Sequence, residues 1–149
     1  MLKQASVSDI KSGKISRDDG HIVITMRRYP RFVRRELRDE YVAAMAPPRK
    51  LFEDWLSNKR RTGDHHRAFD RVRYEERYDL PEEGWEALER LSKLSRKQDV
   101  YLICQCQVGQ RCHREMLLML AKQKFKARAE KPKNDYPTFR KRMGLKRPA

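Results

Sequence analysis

VYLICQCQVGQRCHREMLLML, Val100 to Leu120, is the stretch whose reading decides the fold. Val100-Tyr101-Leu102-Ile103-Cys104 is an unbroken run of apolar and aromatic residues. It is too short for a helix and rich in residues that suit a pleated strand. Because the run does not alternate, the strand is expected to be covered on both faces, as in a parallel sheet. Gly109 marks a turn. From about Cys112 the period changes: Met116, Met119 and Leu120 share one helical face, widened by Leu117 and Leu118. In a strand–turn–helix unit the turn lies at the carboxyl end of the strand, where ligands of open α/β sheets bind.

That turn gathers unusual chemistry. All three cysteines lie in it or at its edges, with His113, Arg111 and Arg114 beside them. Unpaired amides at a helix start attract anions, and the arginines add positive charge. Both effects favour a thiolate. Cys112 is best placed to use them, Cys106 sits in the turn itself, and Cys104 closes the strand with its sulfur inside. A phosphate loop of the tyrosine-phosphatase type needs Cys, five residues, then Arg. Here the sixth residue after Cys104 is Gln110 and after Cys106 is Cys112, so that pattern fails. Cys106-Gln-Val-Gly-Gln-Arg111 is similar to the Cys-x-x-Gly-x-Arg loop of rhodanese-like sulfurtransferases, which holds a persulfide. Cys104, Cys106, Cys112 and His113 also offer the ligand types of a zinc site. Their spacing is not that of a zinc finger, so neither metal nor cofactor is expected. The plain alternative is that the thiols are small apolar groups in a core.

The composition sets the frame. A chain of 149 residues is long enough for one core, and one domain is expected over residues 1–127. Its charged fraction of 38% equals its hydrophobic fraction, so part of the chain must be solvated. The net charge is +15, and Lys122 to Ala149 carries eleven Lys and Arg against two acids. Residues 128–149 therefore read as a basic C-terminal tail, which meets nucleic-acid phosphate or keeps the protein in solution. In it, Tyr136 and Phe139 either stack on bases or dock the tail onto the domain. No apolar run of about eighteen residues is present, so no membrane span is expected. Three cysteines argue against a disulfide framework and for a reducing, cytoplasmic setting.

Earlier in the chain, Leu2 to Ser6 and His21 to Met26 read as strands, the second stopped by Pro30 acting on Tyr29. Phe32 to Ala44 reads as a helix. Pro48 opens another through Leu51, Phe52, Trp55 and Leu56, followed by a basic loop from Asn58 to Gly63. His65-His66 reads as a helix start or surface, with Ala68, Phe69, Val72 and Tyr78 along that helix. Pro81-Glu82-Glu83 opens the helix of Trp85, Leu88, Leu91 and Leu94. The expected fold is thus α/β: a small, mostly parallel sheet flanked by helices in a Rossmann-like three-layer arrangement. If the His21 strand runs parallel to Val100–Cys104, Arg27 and Arg28 emerge on the same edge as Cys112-His113-Arg114.

Several segments carry a resemblance. They are Arg27-Arg28-Tyr29-Pro30, Ala46-Pro47-Pro48 with Leu51 and Trp55, the Phe69–Tyr78 segment, Leu102-Ile103-Cys104 and Cys112-His113-Arg114. Over about Leu2 to Lys122 the chain resembles the family catalogued as domain of unknown function 488. In many of its members the residue two after the strand cysteine is acidic, whereas here it is Cys106. The resemblance implies a small cytosolic α/β protein and no established reaction.

Two functions follow. In the first, Arg27, Arg28, Arg111 and Arg114 hold the phosphate of a nucleotide or nucleic acid while Tyr29 stacks on a base. In the second, Cys112 or Cys106 is the nucleophile of a sulfurtransferase-like or hydrolytic enzyme, with His113 as acid or base. A purely structural corner is the third possibility, His113 and Arg114 tying the turn to carbonyls or to Glu36 or Asp39.

Overall fold

The computed structural model describes residues 1–147; Pro148 and Ala149, the end of the expected tail, lie outside the described residues. Four strands, β1 (Leu2–Ser6), β2 (His21–Ile24), β3 (Glu40–Tyr41) and β4 (Val100–Cys104), form a fully parallel sheet in the order β1-β4-β2-β3. The helices are α1 (Val7–Lys11), α2 (Arg49–Thr62), α3 (His65–Arg71), α4 (Tyr74–Arg77), α5 (Glu82–Leu94), α6 (His113–Phe125) and α7 (Pro137–Met143). This is the α/β layering expected from the sequence.

β4 is central because β1 and β2 pair on either side of it. Alternation along the strand then sorts its side chains. Val100 and Leu102 join the larger core with Val23, Leu88, Leu91 and the apolar residues of α6. Ile103 joins Ala5, Ile22 and Ile24 in a smaller core on the opposite face, with Val7 and Ile10 of α1. Cys104, two residues beyond Leu102, falls on the larger-core face, which is where the turn chemistry gathers. α6 is buried from His113 through Ala121, so its all-round apolar pattern reflects a helix enclosed by the sheet, α5 and the C-terminal segment.

The expected helix over Phe32–Ala44 is not formed. Phe32 has a left-handed φ of 69° and is 80% exposed. Beyond it lie two short 3-10 turns, Arg35–Leu37 and Ala43–Met45, around β3. The open edge of β2 needs partners: Asp39 N donates to Ile22 O (2.9 Å) and Val42 N to Ile24 O (2.8 Å). Satisfying that edge outweighs a modest helical preference. The basic loop expected at Asn58–Gly63 is instead the last turn of α2. Lys59, Arg60 and Arg61 suit the negative end of the helix dipole, and Gly63 caps it at φ 66°. The single helix expected from His65 to Tyr78 breaks at Arg73, whose φ is 56°.

Gly84 shows how closely α5 packs. A Cβ there would lie 2.5 Å from Ala44 O, in the 3-10 turn beside the helix. Gly84→Ala gains about 1 kcal/mol of helix propensity but forces two backbones apart. A net loss of about 1–3 kcal/mol is expected from overpacking, read as a lower urea midpoint.

The segment after α6 folds back over the domain. Leu2 N donates to Arg128 O (2.5 Å) and Glu130 N to Leu2 O (2.9 Å), so residues 128–130 run beside β1. Tyr136 and Phe139 are fully buried, which settles their alternative in favour of docking over base stacking. No helix among the described residues is long and apolar enough to cross a membrane.

Candidate functional site

A cavity of about 210 Å³ opens at the carboxyl ends of β2 and β4. Its floor includes Cys104, Cys106 and Cys112, and its walls include Phe52 and Trp55 of α2, Phe69 of α3 and Tyr74 of α4. Arg27, Arg28, Lys59 and Arg111 line it as well. The convergence expected of the two strand exits is present: the residues after β2 and the Cys112 turn meet in one cavity.

Cys112 is the residue before α6 and is 3% exposed. Its amide donates to Tyr136 Oη (2.9 Å), which fixes the turn from behind. His113 opens the helix. Its Nε2 lies 2.7 Å from Thr25 O, and since a carbonyl can only accept, Nε2 carries the hydrogen. Nδ1 therefore faces Cys112 Sγ, 3.5 Å away, with its lone pair free to take the thiol proton. Thr25 sits just beyond β2, so the pairing of β2 with β4 is what orients the imidazole.

Charge follows this geometry. Burial pushes the Cys112 thiol up, but hydrogen bonds from Cys104 and Cys106 and the charges of His113 and Arg114 outweigh it. The thiol is held well below its ordinary range. Burial pulls His113 down, yet the adjacent Cys112 sulfur prevails and raises it to about 10. Cys106 is pushed well up, because its hydrogen bonds to Cys104 and Cys112, with burial, favour its neutral form. The surroundings thus favour the thiolate on Cys112 over Cys106.

The arginines divide. Arg28 lies over the Phe52 ring (5.5 Å to its centroid), and Arg27 Nε donates to Pro47 O (3.1 Å). Arg111 is engaged: it pairs with Asp70 (2.6 Å) and Glu75 (3.4 Å) and lies 4.2 Å over the Phe69 centroid. Arg114 and Tyr29 do not line the cavity. Arg114 is fully buried, donates to Ala5 O and Gln107 O, and acts as a fixed charge inside the turn. Tyr29 packs edge-on against Tyr41 (5.2 Å) and donates to Val33 O (2.6 Å), facing the smaller core. Nor do Glu36 or Asp39 hold the turn; the bonds of His113 and Arg114 to backbone run to Thr25, Ala5 and Gln107.

The structure adds residues that sequence reasoning passed over. Phe52 and Trp55 read only as residues of the helix after Pro48, and Lys59 as part of a basic loop; on α2 Lys59 Nζ instead lies 5.1 Å over the Trp55 ring at the cavity wall. His65, expected at a helix start or on the surface, does start α3 but is buried, with Nε2 3.3 Å from Cys106 Sγ. Nothing in a bare His-His pair reveals that contact. Glu115, also fully buried, accepts from Gln4 Nε2 (2.8 Å), the amides of Lys133 (2.5 Å) and Asn134 (3.2 Å), Asn134 Nδ2 (2.9 Å) and Tyr136 Oη (2.8 Å). Tyr136 so links the C-terminal segment, Glu115 and the Cys112 amide. The three sulfurs lie within 4.8 Å of one another, a grouping that could take a soft metal ion.

The family model DUF488-N3a, described as the active DUF488-N3 subclade, matches residues 6–125. The chain belongs to this DUF488 family. The match runs from the end of β1 to the end of α6, so the DUF488-N3a region includes every cavity residue named above. No curated protein and no solved structure matches the chain.

Proposed function

We propose that the protein is a thiol-dependent enzyme with Cys112 as nucleophile and His113 as its base. The observation that carries this is His113 itself: one ring nitrogen is anchored on Thr25 O and the other faces Cys112 Sγ at 3.5 Å. Nδ1 holds the thiol proton in the resting thiolate–imidazolium pair while Sγ bonds to an electrophilic centre of the substrate. The leaving group then departs with that proton. The description of the matching family as active agrees with a catalytic role. A purely anion-binding role fits less well, because Arg111 is already paired and Arg114 is buried away from the cavity.

The substrate class follows from the walls. Aromatic rings flank the cavity, Arg28 and Lys59 lie over ring faces, and Asp54 of α2 is taken by Lys50 (3.0 Å) and Arg77 (2.8 Å). A planar, anionic ligand suits such a site: a nucleotide, free or as one residue of a strand. A cavity of about 210 Å³ takes a single base and leaves its phosphate at the mouth. The basic C-terminal residues offer further phosphate contacts if the substrate is a strand.

The test is alkylation of the full, chelator-treated chain with iodoacetamide at pH 6, read site by site by mass spectrometry. Cys112 is expected to label first, and nucleoside monophosphates or a short single-stranded oligonucleotide should slow it. Cys112→Ser should remove that label and leave Cys106 slow. Inertness of Cys112 while Cys106 labels would overturn the assignment of the nucleophile. Undiminished labelling at saturating nucleotide and oligonucleotide would overturn the ligand class alone.

A further inference from the structure

We infer that the cavity floor is also a four-donor site for one soft divalent cation, Zn²⁺ by preference, formed by Cys104, Cys106, Cys112 and His65. The turn spacing alone argues against such a site, since two of the cysteines are one residue apart. Tertiary structure reverses that judgement. Cys104 ends β4, Cys106 stands in the turn, and Cys112 returns at the start of α6, so the three sulfurs converge within 4.8 Å of one another. The fourth donor comes from a different part of the chain. His65, at the start of α3, brings Nε2 to 3.3 Å from Cys106 Sγ.

These distances suit a tetrahedral ion. Zinc–sulfur bonds of about 2.3 Å set sulfurs roughly 3.8 Å apart, and a zinc–nitrogen bond of about 2.0–2.1 Å sets a neighbouring nitrogen about 3.6 Å from sulfur. The three sulfurs are already grouped within 4.8 Å and His65 Nε2 is 3.3 Å from Cys106 Sγ; the imidazole, which lies outside the sulfur group, would turn further toward Cys104 and Cys112 to complete the set. The donor set selects the metal: thiolate and imidazole favour zinc and its soft neighbours over magnesium or calcium. The site is accessible, since all four residues line the cavity. It is also braced, since the Cys112 amide is held by Tyr136 and the His65 ring packs edge-on against Trp55 at 5.4 Å.

A functional consequence follows. Zinc and substrate would compete for the same Cys112 electron pair, so a zinc-loaded protein has no free nucleophile. The site needs only its four donors and not the reactivity of Cys112, so the two proposals fail separately.

Cobalt is the probe. The full chain, reduced and stripped by chelator, is titrated with Co²⁺ and then with Zn²⁺. One equivalent is expected to give thiolate-to-cobalt charge-transfer absorption and the intense visible bands of tetrahedral cobalt, which zinc then bleaches. Cys104→Ser, Cys106→Ser and His65→Ala should each weaken binding at least about tenfold. Zinc should protect Cys112 from alkylation, and chelator should restore its labelling. Weak octahedral bands, or an affinity unchanged in the Cys104→Ser/Cys106→Ser double variant, would overturn the site. A His65→Ala variant with an unaltered spectrum would overturn the four-donor set. Labelling of Cys112 in the stripped protein reports on the nucleophile whatever the cobalt result.

Discussion

Between pH 6 and pH 8, the alkylation rate of Cys112 in the metal-free protein is expected to stay nearly flat. An ordinary thiol, with a pKa of about 8.5, would speed up roughly a hundredfold over those two units, because each unit multiplies its thiolate about tenfold. The sign follows from the direction of the shift. A thiol held well below its usual range is already ionised at the acid end of this window, so raising the pH adds no nucleophile. His113 supports the flat profile: its proton, raised to about 10, stays in place across the window.

His113→Gln should restore the steep profile. The glutamine amide can still donate to Thr25 O, but it neither takes the Cys112 proton nor carries charge. At pH 6 the variant should label roughly tenfold more slowly than the parent. Loss of thiolate alone would give more than a hundredfold, but a less acidic thiol is intrinsically the better nucleophile and recovers over an order of magnitude. A parent profile that climbs about tenfold per unit would show that Cys112 ionises as an ordinary thiol and would remove the dyad. Circular dichroism of the variant separates a lost base from a lost fold.

Glu115→Ala is expected to be the most destabilising single change, by about 3–5 kcal/mol in urea unfolding. The loss would be a large share of the total for a domain whose whole stability is typically about 5–15 kcal/mol. The buried carboxylate accepts from five donors on three parts of the chain: Gln4 in β1, the Lys133–Asn134 turn and Tyr136. Alanine leaves those groups without an acceptor in a region closed to water. Glu115→Gln keeps one carbonyl oxygen and should lose less. Because Tyr136 Oη also receives the Cys112 amide, Glu115→Ala should loosen the turn as well, seen as faster alkylation of Cys106 under folding conditions. An unchanged urea midpoint would mean that the C-terminal segment does not dock in solution.

The helix wrongly expected at Phe32–Ala44 shows where a chain reading falls short. Its apolar spacing suits one face of a helix, yet the unpaired edge of β2 claims Asp39 to Val42 for the sheet. A local pattern cannot register a hydrogen-bond vacancy seventeen residues upstream. The C-terminal segment teaches the same point. The eight basic residues of 128–149 suggest a solvated tail, while the buried rings of Tyr136 and Phe139 are enough to dock the segment around them onto the domain.

Sequence alone determined the α/β class, a Val100–Cys104 strand covered on both faces and the turn that carries the chemistry; the order that puts β4 between β1 and β2 came from the structure. The class, the strand and the turn follow from local period and from which side chains must avoid water, both of which act over a few neighbouring residues. Sequence also named Cys112, Cys106 and His113 as candidates, without choosing between the two thiols. Only the tertiary structure decided what each can do. Whether a histidine is a base, an arginine a ligand contact or a buried counter-charge, and three cysteines a core or a cluster depends on distances between residues far apart in the chain. Those distances are set by packing and burial, as Thr25 beside His113, His65 beside Cys106 and Arg114 beneath Ala5 each show.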